Sequence, residues 1–170
     1  MTTKKSHPNA HYFEKVPRLM TERLVLRGVE PGDIAAIVEL SVYDGVFARN
    51  EVEAARTQAK IQADIANGEC LHWLICLRDT REIAGSCSYH RGFAENVGEI
   101  GYTLKVAYRG RGIMTEAVNC IVAFGLNELK LDHIVAYTSP DNRASLAVLM
   151  RAGFFVDTSN PEQIKLIKRR

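Results

Sequence analysis

The chain lacks any cysteine pair at C-x-x-C spacing; its four cysteines, Cys70, Cys76, Cys87 and Cys120, are scattered. A disulfide framework or a thiolate zinc site is therefore not indicated, and buried thiols in a reducing, cytoplasmic setting are expected. It also lacks an excess of one charge. Lys and Arg number 22, Asp and Glu 20, and the net charge is +2. A dedicated nucleic-acid binder carries a strong basic excess, so no nucleic-acid partner is expected. No apolar run approaches the roughly 18–20 residues that span a bilayer, so no membrane partner is expected either. The first twenty residues contain Pro8 and Pro17 but no apolar stretch, and no secretory signal is visible. His7 and His11 are four apart, yet Pro8 lies between them and a third ligand is missing, so no metal is expected.

What is present is ordinary globular composition, 46% hydrophobic and 25% charged, which excludes general disorder. The 170 residues suit one domain, which can bury roughly 70% of its unfolded surface without staples. Residues 1–18 read as a flexible arm and 19–170 as the domain. Arg23 to Arg27 is a candidate first strand. Pro31-Gly32-Asp33 is a turn and cap before a short helix carrying Ile34, Ile37 and Val38. A second helix is expected over about 53–66, ended by Asn67-Gly68. Leu71 to Leu77 and Ile83 to Tyr89 read as strands joined by the polar Arg78–Arg81 connection. A third strand is expected over about 97–106, where Gly98 and Gly101 hint at a bulge or a close approach. A helix with the stripe Ile113, Ala117, Ile121 and Phe124 follows, then a strand at Ile134–Tyr137. A helix from Arg143 to Ala152 and closing strands at Phe154–Val156 and Ile164–Ile167 complete the order. This is a mixed α/β (α+β) domain.

The most informative stretch runs from Leu104 to Thr115: strand, basic glycine loop, helix start. The first N–H groups of a helix have no partner inside it, and the helix dipole favours an anion there. Gly110 and Gly112 allow close approach, and Arg109 and Arg111 add charge. Either this is a phosphate cradle or it is a solvated basic turn. The dinucleotide signature G-x-G-x-x-G fails because Thr115 fills its third glycine position. Asp132, twenty residues after Gly112, precedes a strand rather than ending one. The pattern G-x-x-x-x-G-K-[ST] is absent as well. A pyrophosphate ligand that is neither NAD nor an ordinary P-loop nucleotide remains.

Arg109-x-x-Gly112-x-Met114 resembles the acyl-coenzyme A signature R/Q-x-x-G-x-G/A of the GCN5-related N-acetyltransferases (GNAT). Asn142-Arg143-Ala144-Ser145, continuing through Leu149 to Gly153-Phe154, is similar to the helix that follows in that family. Thr21 to Arg27 and Glu99-Ile100-Gly101-Tyr102 resemble the branch of Rim-type ribosomal-protein N-terminal acetyltransferases. The resemblance runs from about Thr21 to Lys168. It implies an acyl-coenzyme A N-acyltransferase fold, a mostly antiparallel central sheet flanked by helices. It also implies acetyl-CoA as cosubstrate, no metal, and a primary amine as acceptor: a protein N-terminus or a small molecule.

The resemblance and the chemistry together name residues. The cofactor would be held by Leu104, Val106, Arg109, Gly110, Arg111, Gly112, Ile113, Met114, Thr115 and Asn142, although Asn142 equally suits a helix cap. Strand N–H groups around Leu104 to Val106 would stabilise the developing oxyanion. Glu99 is the candidate general base, with a surface carboxylate as the plain alternative. Many members use a Tyr where this chain has Leu149, so Ser145 is the candidate proton donor to the leaving thiolate. Direct attack in a ternary complex is expected, since no cysteine is marked as an activated nucleophile. A non-catalytic acyl-CoA sensor on the same fold is the alternative, and a homodimer is compatible with either.

Overall fold

The computed structural model describes residues 9–170. The expected arm over 1–18 lies in part, with His7, outside the described residues. Its described portion is packed rather than free. Helix α1 (Ala10–Glu14) buries Phe13, and the Trp73 indole N–H donates to the Pro17 carbonyl at 2.8 Å. Tyr12 and Val16 also pack against the core, the Asn9 amide donates to the Leu129 carbonyl at 3.2 Å and the Tyr12 hydroxyl donates to Glu128 at 3.2 Å, so contacts at uneven spacing tie the segment down.

The strands that follow are β1 (Leu19–Met20), β2 (Leu24–Arg27), β3 (Val42–Tyr43), β4 (Val46–Phe47), β5 (Leu71–Leu77), β6 (Ile83–His90) and β7 (Val97–Leu104). Later come β8 (His133–Thr138), β9 (Phe155–Ser159) and β10 (Ile164–Arg169). Eight of them form one sheet in the order β1-β2-β5-β6-β7-β8-β10-β9; β3 and β4 make a separate hairpin. Among the described residues β7 pairs with β8 in parallel, and the other sheet pairings are antiparallel. The expected fold class is the one found.

Three α-helices flank the sheet: α2 (Glu51–Ala66), α3 (Ile113–Asn127) and α4 (Arg143–Arg151). Asn50 caps α2 by accepting the Glu53 N–H at 2.9 Å, and Ala54, Gln58, Ile61 and Ile65 bury one face. The segment Pro31–Leu40, expected as a short α-helix, is a 3-10 helix. It is held at its start by Asp33, which pairs with Arg27 at 2.7 Å. The main core lies between α3, α4 and one sheet face, around Trp73, Tyr89, Ile121 and Leu149. Burying each such side chain contributes about 1.5–3 kcal/mol.

The opposite face is polar along β5, β6 and β7. His72, Ser88 and Gly101 lie abreast there, as do His90 and Glu99. Gly101 marks a close approach and not a bulge. A Cβ at that position would lie 2.6 Å from Cε1 of His90, so the imidazole rests against the glycine. Gly98 is likewise crowded by Tyr89 and Leu131. No helix among the described residues is long and apolar enough to cross a membrane.

Candidate active site

The centre of the sheet opens. β7 pairs with β8 only through Val97–His133, Gly98–Ile134 and Glu99–Val135, while β7 continues to Leu104 and β8 to Thr138. The Lys105 N–H donates to Ala84 on the β6 side at 2.9 Å. Strand alternation therefore turns the N–H groups of Tyr102 and Leu104 toward the gap. They are donors aimed at a space that no strand among the described residues fills.

Two clefts meet at this gap. One, of about 640 Å³, is lined by Leu104, Arg109, Gly110, Gly112 and the start of α3, with Asn142, Ser145 and Arg151 on its far wall. The other, of about 740 Å³, lies among the β3–β4 hairpin, α2 and the polar sheet face. Tyr102, Thr103 and Asn142 line both.

Main chain shapes the glycine-loop side of the first cleft. Gly112 caps α3 in a left-handed conformation with φ +73, and Gly110 has φ +70. The first α-helical bond runs from the Glu116 N–H to the Gly112 carbonyl at 3.1 Å. The N–H groups of Ile113, Met114 and Thr115 thus have no intrahelical acceptor. Ile113 and Met114 bury their side chains in the core, which anchors the helix start beneath the loop.

A network not expected from the sequence holds this loop in place. Arg23 donates to the Arg111 carbonyl at 3.0 Å and to Glu116 at 2.6 Å. Glu116 also accepts from the Thr21 hydroxyl and the Arg23 N–H. Burial pushes the Glu116 carboxyl up, but these hydrogen bonds and the guanidinium bring it below its ordinary value. The Thr21–Arg23 segment is therefore the strut of the glycine loop.

On the far wall, the Asn142 side-chain oxygen accepts the Ser145 N–H at 3.1 Å, so Asn142 is the cap of α4. The Ser145 hydroxyl lies 2.7 Å from the Tyr102 hydroxyl. Burial raises the Tyr102 phenol above its ordinary value, although its bond to Ser145 acts the other way. Tyr102 is therefore protonated at neutral pH and can donate to Ser145.

Several candidate residues are placed differently. Val106 stands beyond the end of β7, in a 3-10 turn, 70% exposed, and does not line the cleft. The strand ends at Leu104 because the chain then folds into the 3-10 turn Val106–Tyr108, where the Lys105 carbonyl accepts the Tyr108 N–H at 3.0 Å. The Arg111 side chain lies over the Tyr108 ring, 5.8 Å from its centroid, outside the lining. Glu99 is absent from the walls of both clefts. Its carboxylate is bonded to His90 Nε2 at 3.0 Å and to Arg91 at 3.2 Å, and it is His90 that faces the larger cleft.

Sequence reasoning missed the β3–β4 hairpin that roofs the larger cleft. The signal was there: Asp44-Gly45, both at positive φ, sits between the apolar pairs Val42-Tyr43 and Val46-Phe47. His72 forms part of the floor. Burial drives its pKa down to about 4, so it is a neutral imidazole. All four cysteines are unpaired, and burial raises each thiol, which leaves no reactive thiolate at neutral pH. No group of three His, Cys, Asp or Glu among the described residues is placed to hold a metal ion.

Known proteins share this architecture. An N-acetyltransferase of Bacillus licheniformis called p20, itself uncharacterized, is 30% identical over 144 residues, 80% of this chain and 81% of that protein. An acetyltransferase structure from Agrobacterium tumefaciens superposes with a TM-score of 0.76 at 26% identity, covering 92% of this chain and 96% of that one. RimL, a ribosomal α-N-protein acetyltransferase in complex with coenzyme A, gives a TM-score of 0.78 at 18% identity, over 90% and 98% of the two chains. The acetyltransferase (GNAT) domain family matches residues 23–155. A match over most of the chain, on a sheet that opens beside a glycine-looped helix start, makes this protein a member of the GNAT family, an acetyl-CoA-dependent N-acetyltransferase.

Proposed function

We propose that the protein transfers the acetyl group of acetyl-CoA to a primary amine held in the larger cleft, by direct attack in a ternary complex. The observation that carries this reading is the meeting of the two clefts at Tyr102, Thr103 and Asn142, where β7 and β8 part. A donor seated in one cleft and an acceptor in the other would meet at that point.

The smaller cleft fits the donor. Its phosphates would meet the N–H groups of Ile113, Met114 and Thr115, the open backbone at Gly110 and Gly112, and the Arg109 guanidinium. The acetyl thioester is the chemistry the donor supplies. Beside it, the Leu104 N–H would face the carbonyl oxygen as negative charge develops; one such donor is typically worth about 10²–10³ in rate. Ser145, bonded to the Tyr102 phenol, would protonate the departing sulfur.

The larger cleft suits an ammonium. Among the described residues Asp44, Asp64 and Glu69 line it against one guanidinium, Arg91, so its field draws a cation inward. The acceptor must then shed one proton before attack and a second afterwards. The second goes to the leaving thiolate and the first toward Glu99. An α-amino group, with a pKa of about 7.7–8.0, is the easiest primary amine to neutralise, which favours a peptide N-terminus or an amino-acid-like small molecule. The free thiols fit work in the reducing cytoplasm.

The test is release of free coenzyme A thiol from acetyl-CoA across an amine panel that includes N-terminal peptides. Amine-dependent release supports transfer. Binding of coenzyme A with no release on any amine supports a sensor on the same fold instead. No binding at all overturns the assignment of the smaller cleft.

A further inference from the structure

We infer that the first proton leaves the acceptor along a chain formed by Ser88, His90 and Glu99, with His90 as the group that takes it up and Glu99 as the residue that positions His90. The inference rests on the acceptor occupying the larger cleft.

Three observations place the chain. The Ser88 hydroxyl lies 3.4 Å from His90 Nδ1, and His90 Nε2 lies 3.0 Å from the Glu99 carboxylate. Ser88 and His90 line the larger cleft while Glu99 does not, so the acid stands behind the imidazole. Gly101 leaves the space against which the ring rests; any Cβ there would strike Cε1. Register makes the array. Ser88 is opposite Gly101 and His90 opposite Glu99, so all three side chains share the polar face of the sheet. Gly101 adjoins Tyr102, where the two clefts meet.

The bonds fix the proton positions. A carboxylate only accepts, so Nε2 carries a hydrogen toward Glu99, and in the neutral form of the ring Nδ1 is then left to accept from the Ser88 hydroxyl. As the ammonium gives its proton to Ser88 Oγ, the Ser88 O–H proton passes to Nδ1. One N–H and one O–H bond break; one O–H and one N–H bond form. The product is a neutral amine beside a Glu99-paired imidazolium, and the His90 side chain, 35% exposed, returns the proton to water. Imidazole is the side chain suited to such exchange near neutral pH. The other charged and titratable groups around this cleft are Arg91, which also bonds Glu99; His72, Glu69 and Cys70 on the β5 side; Asp64 of α2; Tyr43 and Asp44 of the hairpin; Tyr102 of β7; and Tyr137 of β8.

The experiment is His90→Gln, which keeps a donor for Glu99 but cannot hold a proton. Turnover with acetyl-CoA and an accepted amine is followed from about pH 6.5 to about pH 9.5, across the range where the amine ionises. We expect kcat/KM for the amine to fall about 100-fold near neutrality, within the usual range for general base catalysis. That deficit shrinks as pH rises and the amine loses its proton unaided, while KM for acetyl-CoA stays unchanged. His90→Ala, which opens the space above Gly101, regains turnover on addition of free imidazole. A His90→Gln enzyme equal to wild type, or a deficit constant with pH and not rescued by imidazole, overturns the chain. A wild-type protein that releases no coenzyme A with any amine overturns the transfer reading itself, and the inference with it.

Discussion

The donor half and the acceptor half of the site are built in different ways. The donor half comes from two contiguous stretches, 102–115 and 142–151, and sets the unpartnered main-chain N–H groups at the start of α3 beside the side chains of Arg109, Asn142, Ser145 and Arg151. The acceptor half draws on the β3–β4 hairpin, α2, β5, β6, β7 and β8, and its polar groups are side chains. A backbone cradle tolerates changes of side chain. Met114 stands where the family signature has a small residue, yet its side chain is buried in the core at 5% exposure and its N–H remains at the helix start. A side-chain cleft has no such tolerance, and each substitution there changes what it binds. Such a division lets one fold keep its donor while changing its acceptor.

Substitutions can break that division or sharpen it. The largest effect is expected from Glu99→Gln on the acceptor side. By removing the partner that positions His90 it should lower kcat by up to the ~10²-fold expected for loss of the base itself and move the pH–rate profile upward, with KM for acetyl-CoA unchanged. A rise in that KM would show the halves are not separable. Ser145→Ala, at the junction, should lower kcat about thirtyfold at every amine concentration. The loss is smaller because a thiolate is a good leaving group that departs without much help. Gly112→Ala probes the donor side alone. Its φ of +73 strains any side chain, and the new Cβ would lie 3.4 Å from the Arg23 guanidinium. Left-handed backbone costs a non-glycine residue about 1–2 kcal/mol, so KM for acetyl-CoA should rise about tenfold while KM for the amine does not move.

The smallest effect is in stability against acid. The Glu116 carboxyl is lowered as described above, and the Asp33 carboxyl is held down by Arg27, against burial, with help from the Glu30 N–H. A carboxyl lowered by folding contributes stability above its unfolded value and loses it as pH falls through the folded one. Tm should therefore drop steeply below about pH 4, and Glu116→Gln should flatten that drop. A variant with an unaltered Tm–pH curve would remove the Thr21–Arg23–Glu116 network from the account.

The same division explains what the sequence could show. The glycine loop, its helix and the Asn142–Ser145 turn were legible because their chemistry is local, carried by φ, helix ends and spacing. The strands β5 and β6 and the stripe of α3 were legible from periodicity. The pairs His90–Glu99 and Tyr102–Ser145 were not, because they exist only once strand register and helix docking are fixed. Arg23 and Glu116, 93 residues apart, are joined in the same way. Val106 misled because its apolar side chain continues the strand pattern, while the backbone has already entered the 3-10 turn Val106–Tyr108. The packed 9–18 segment was hidden because one buried Phe makes no periodic pattern.

Initial rates measured over a grid of acetyl-CoA and amine concentrations test the central claim most directly. Two clefts that meet at Tyr102, Thr103 and Asn142 predict that both substrates bind before any product leaves, so double-reciprocal lines must intersect. Parallel lines, the sign of an acetyl group parked on the protein between two half-reactions, would contradict it.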